Sequence, residues 1–111
     1  MRKKHIKSLS GNYEEWLIES LRDKEEAAIF LQVALEEFQK DGDVEALLLS
    51  LRHVVEAQGG IGRLSQKTRL NRESLYRTLS KRGNPKFQTV GVLLKGMGFQ
   101  LSVKPIYKKA S

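Results

Sequence analysis

The sequence contains no cysteine, which excludes a disulfide framework, a thiolate nucleophile and a cysteine-bound zinc. It has no apolar run near the roughly 20 residues needed to cross a bilayer. The basic start, Met1-Arg2-Lys3-Lys4-His5-Ile6-Lys7, is not followed by the apolar core of a signal peptide. No internal repeat and no low-complexity tract is present. Metal-ligand spacing is also missing: His5 stands in the basic start and His53 beside Val54 and Val55 at the edge of an apolar helix face. Gly59-Gly60-Ile61-Gly62 is glycine-rich, but it follows no strand and lacks the lysine-threonine ending of a phosphate loop. These absences lead us to expect a soluble cytoplasmic protein without cofactor, metal or enzymatic activity.

Acid is nearly missing from one half of the chain. Residues 57–111 carry twelve Lys/Arg and a single acid, Glu73. Residues 13–56 reverse the balance, with twelve Asp/Glu against four Lys/Arg. Residues 1–12 add four basic residues and no acid, giving the net charge of +7. This asymmetry suggests two faces with different partners, a polyanion for the second half and something basic for the middle. The alternative for the acidic stretch is a solvated surface of uneven charge.

Apolar periodicity predicts an all-α bundle. A short helix over 13–21 places Tyr13, Trp16, Leu17 and Leu21 at helical spacing. Asp23 is suited to cap a second helix, with Glu26 three residues on as in a capping box. Its stripe is Ala27, Phe30, Leu31, Ala34, Leu35 and Phe38, and Lys40-Asp41-Gly42 ends it. Asp43 can cap a third helix whose inner face is Val44, Leu47, Leu48, Leu51, Val54 and Val55, stopped at Gln58-Gly59-Gly60. Two short helices follow over 61–68 and 72–80, then a break at Lys81-Arg82-Gly83-Asn84-Pro85 and a last helix over 87–97. Phe99, Leu101 and Val103 alternate with polar residues, the pattern of a short strand. Such a strand either pairs with its own copy across a two-fold axis, making these three residues dimerisation candidates, or lies as a tail on the last helix. The organisation expected is a flexible basic arm over 1–12, an acidic helical segment over 13–42, a unit over 43–104 that holds the two short helices, and a tail over 105–111.

The two short helices cannot stand alone and must share a core, for which Ile61, Leu64, Leu70, Leu75 and Leu79 are available. Ser65 is small where the helices approach, and Asn71 is a favourable cap for the second. This is helix-turn-helix patterning, in which the second helix reads base edges in the major groove of double-stranded DNA. Arg72, Glu73, Ser74, Tyr76 and Arg77 are then the base-contacting candidates: arginine forks match guanine, and a carboxylate accepts from cytosine. Arg63, Lys67, Lys81, Arg82 and Lys86 flank them as phosphate-contacting candidates, supplying affinity and salt dependence.

At residues 64–79 the sequence resembles the Xre/Cro-type helix-turn-helix. The longer run Asn71-Arg72-Glu73-Ser74-Leu75-Tyr76-Arg77-Thr78-Leu79-Ser80, with Gly83-Asn84-Pro85 and Gly98-Phe99-Gln100-Leu101, resembles the HigA-like addiction-module antidote (antitoxin) proteins. The likeness extends upstream through Tyr13-Glu14-Glu15-Trp16-Leu17 and residues 27–38. It implies an antitoxin that represses its operon as a homodimer and neutralises a basic RelE/HigB-like mRNA-cleaving toxin by direct binding. Tyr13, Glu14, Glu15, Trp16 and Leu17 are the toxin-binding candidates, since aromatic anchors beside acids suit a basic partner. The same apolar residues serve equally as a cap on the core. A stand-alone phage-type regulator, or a non-specific polycationic binder using the arm with Lys108 and Lys109, are the competing readings. One departure stands out: the turn position usually held by glycine is Arg69. Either the arginine adopts a left-handed conformation at a cost of about 1 kcal/mol, or the turn is remodelled.

Overall fold

The computed structural model describes residues 12–107 as six helices: α1 (Tyr13–Ser20), α2 (Lys24–Asp41), α3 (Val44–Ala57), α4 (Gly60–Thr68), α5 (Arg72–Thr78) and α6 (Phe87–Gly96). The basic arm up to residue 11, His5 with it, and the lysine pair Lys108 and Lys109 lie outside the described residues.

Side-chain and backbone chemistry sets the helix ends. The Asp23 carboxylate accepts from the Glu25 and Glu26 amides at 2.8 and 3.0 Å, satisfying two of the orphan donors of α2. The expected reciprocal half of a capping box is replaced, because the Asp23 amide donates to Ser20 O at 3.3 Å. Gly42, at φ +69°, closes α2 in the left-handed region, and Asp43 caps α3 through the Ala46 amide. Helix α6 ends in a Schellman motif. Gly98 at φ +91° donates to Lys95 O at 2.9 Å, and Phe99 donates to Leu94 O at 2.8 Å.

Helix α3 is the hub: it packs against α1, α2 and α4, and α4 in turn holds α5 and α6. The core runs unbroken from Leu17 to Met97, with Ala27, Leu48, Val54 and Leu93 fully buried. The apolar faces read for α2 and α3 all join this core, either buried or half-buried against it. Tyr13 and Trp16 do not; they remain 51% and 37% exposed, with ring centroids 5.7 Å apart.

Two features of the fold depart from the strand and tail patterns in the sequence. Among the described residues no strand forms, although alternation suggests one beginning at Phe99. Phe99 instead follows the Schellman glycine and folds back onto the core, with the Lys24 ammonium 5.2 Å from its ring centroid. Leu101 and Val103 are exposed, and Lys104 pairs with Glu36 at 3.8 Å, so the tail approaches α2.

A polar knot ties the acidic half to the basic half. Lys24 Nζ donates to Gln58 Oε1 at 2.7 Å and to Met97 O at 2.6 Å, while Gln58 Nε2 donates to Leu21 O at 2.8 Å. A cation at the carbonyl end of α6 is also favoured by the helix dipole.

Candidate nucleic-acid interface

The pair α4–α5 is built around its three-residue turn. Arg69 adopts the left-handed conformation (φ 64°, ψ 14°) and donates its amide to Ser65 O at 2.8 Å, so the turn is not remodelled. Leu70 is held from both sides: Ser65 Oγ donates to its carbonyl at 2.6 Å, and its amide donates to Thr68 Oγ1 at 3.2 Å. These bonds over-determine a backbone that arginine alone would avoid. Replacing Arg69 with glycine should therefore stabilise the protein by about 1 kcal/mol, raising the thermal midpoint by roughly 4–8 °C. Calorimetry giving an unchanged or lower midpoint would show that side-chain contacts of Arg69 offset the strain.

Asn71 caps α5, its carboxamide oxygen accepting from the Ser74 amide at 2.9 Å. At the other end Arg52 of α3 donates from Nη1 to Leu79 O, and Leu75 and Leu79 are each 1% exposed. An α5 of seven residues has no independent stability, so these anchors decide its orientation. Two glycines permit the close approaches around it. A Cβ on Gly83 would stand 2.0 Å from Thr78 O, and one on Gly96 would stand 2.6 Å from Thr68 Cγ2 where α6 meets α4.

The opposite face of α5 is presented outward. Arg72, Glu73, Tyr76 and Arg77 are exposed, and Ser74 is half-buried. The Arg72 guanidinium lies against α4, 3.3 Å from where a Gly62 Cβ would be. Tyr76 lines a cleft of about 390 Å³ with Ile61 and Leu79. Lys81, Arg82 and Lys86, in the segment after α5, are exposed, and Lys81 pairs with Glu45 at 3.5 Å. Arg63 and Lys67 are exposed on α4 and meet Lys24 around a small cavity of about 90 Å³. Arg69 adds a further exposed cation at the turn, one that is not among the phosphate-contacting candidates of the sequence.

The candidates on α1 divide. Glu14 pairs with His53 at 3.3 Å, and Glu15 is exposed. Leu17 is 8% exposed and belongs to the core, so of the apolar candidates on α1 a partner reaches Tyr13 and Trp16. No group of acids and histidines among the described residues has a metal-holding arrangement, and no described helix is long and apolar enough to cross a membrane.

Fold and surface together define a small all-helical protein with an acidic half, a basic half and a capped pair of short helices on the basic side. Residues 14–105 match the family described as "Probable addiction module antidote protein", and the chain belongs to that family. It is also similar to an uncharacterized protein of Haemophilus influenzae, 30% identical over 74 residues that span 67% of this chain and 75% of the relative. No solved structure matches the chain.

Proposed function

We propose that this protein is a HigA-like antitoxin that binds operator DNA through an Xre/Cro-type helix-turn-helix and neutralises a basic RelE/HigB-like mRNA-cleaving toxin. It acts by binding rather than by catalysis. The observation that carries the DNA reading is the outward face of α5, where Arg72, Glu73, Tyr76 and Arg77 are exposed on a helix anchored from behind by Leu75, Leu79 and Arg52. The exposed cations around it supply the phosphate contacts that set register on a duplex. Membership of an antidote family and the acidity of residues 13–56 support the toxin reading, because a nuclease that holds RNA carries positive charge. A homodimer would present two α5 helices to successive major-groove turns about 34 Å apart, with Leu101 and Val103 as exposed residues for pairing.

The test is a titration of DNA from upstream of the operon, read by fluorescence anisotropy with scrambled DNA as the control. Arg77→Ala should weaken operator binding by roughly 1–3 kcal/mol and relax preference at one base pair. Unchanged preference at every position would remove Arg77 from the readout, and equal affinity of the wild type for scrambled DNA would remove the repressor reading.

A further inference from the structure

Helix α2 packs against α3 but presents a face that no other helix covers among the described residues. On that face stand Ile29 and Val33, one helical turn apart and 59% and 51% exposed. Nothing local accounts for them. Solvent-facing helix positions favour alanine, glutamate or lysine, whereas β-branched residues lose side-chain freedom in a helix and here bury little area in return. Four exposed acids frame the pair: Glu25 and Glu26 before it, Glu36 and Glu37 after it. An apolar centre with a charged rim is the anatomy of a protein-binding patch. The tail reaches the same helix through the Lys104–Glu36 pair, leaving Val103 98% exposed beside Lys104.

We infer that the outward face of α2, centred on Ile29 and Val33, is the docking surface for the toxin, and that the toxin meets it with an apolar patch ringed by Lys and Arg. The inference rests on the antitoxin reading above and sharpens it, moving the main contact from the aromatic pair on α1 to α2. Charge complementarity selects the occupant. A second copy of this chain has its cations on the basic half, so an α2 contact with them would be heterologous, leaving each copy a free end and competing with DNA. A separate basic protein closes the surface in a single encounter.

The probe is the purified toxin of the same operon, titrated against the full chain. The double variant Ile29→Ala, Val33→Ala should bind it roughly 10- to 100-fold more weakly. Its thermal midpoint should not fall, since alanine is the better helix former at both positions, and its operator affinity should match the wild type. Glu36→Lys with Glu37→Lys should slow association and reduce its salt dependence. Wild-type toxin affinity in both variants, or a loss confined to Tyr13→Ala and Trp16→Ala, would overturn the α2 surface while leaving the antitoxin reading intact. Self-association of the wild type that the double alanine variant abolishes, with toxin affinity unchanged, would assign the face to a second copy and overturn the inference. Failure of the wild type to bind the toxin at all would overturn the antitoxin reading itself.

Discussion

Leu75→Ala is expected to cost about 2–5 kcal/mol of stability, lowering the thermal midpoint by roughly 10–30 °C. Leu75 is 1% exposed and sits in the middle of a seven-residue helix that packs against α4. The substitution removes three side-chain carbons from a filled core and leaves a cavity that a short, doubly anchored helix cannot collapse to fill. A typical domain has only about 5–15 kcal/mol in total, so the loss is a large share. Tyr76→Ala on the same helix is the matched control. At 60% exposure it should move stability by no more than about 0.5 kcal/mol. Thermal melts of the two variants followed by circular dichroism decide the point. Similar midpoints for both would show that α5 does not rely on Leu75 for its seat.

The second large effect is on DNA binding in salt. If the exposed cations Arg63, Lys67, Lys81, Arg82 and Lys86 neutralise phosphates in two copies, a dimer makes roughly 6–10 such contacts, and operator affinity should fall by about 10³–10⁵ between 50 and 200 mM salt. The contributions are unequal. Lys81 already pairs with Glu45, and Arg63 and Lys67 share a cavity with Lys24, whereas Arg82 and Lys86 have no ion pair among the described residues. Lys86→Ala should therefore reduce the slope of log affinity against log salt by about 1 per site while leaving sequence preference intact. Arg77→Ala should do the reverse, changing preference with little change in slope. A slope near zero for the wild type would dissociate these cations from any DNA role.

Most of the helical framework was legible along the chain because its causes are local. Asp23, Asp43 and Asn71 each accept amide hydrogen bonds within three residues, so an acid or carboxamide before an apolar period marks a helix start. The apolar stripes of α2 and α3 repeat at the helical period and therefore name their own buried faces. The outward row of α5 was legible for the same reason: with Leu75 and Leu79 inward, Arg72, Glu73, Tyr76 and Arg77 have to face out. Phe99 shows where alternation carries less weight than a helix ending: Gly98 followed by an apolar residue is the mark of a Schellman motif, and it turns Phe99 back onto the core. Arg69 was ambiguous because the penalty for a left-handed arginine is small, and the Ser65 and Thr68 hydroxyls that hold Leu70 beside it can offset it.

By itself the sequence determined an all-α chain, the helix ends, the two opposite charge halves and the outward row of α5, since each follows from neighbours a few positions apart. Only the tertiary structure decided that Leu17 belongs to the core, that Arg52 reaches Leu79 O, and that Lys24 joins Gln58 to the end of α6. It also decided that Ile29 and Val33 are exposed among the described residues. Those facts depend on which helices pack together. Contacts between residues 27 to 73 positions apart leave no periodic trace in the chain that makes them.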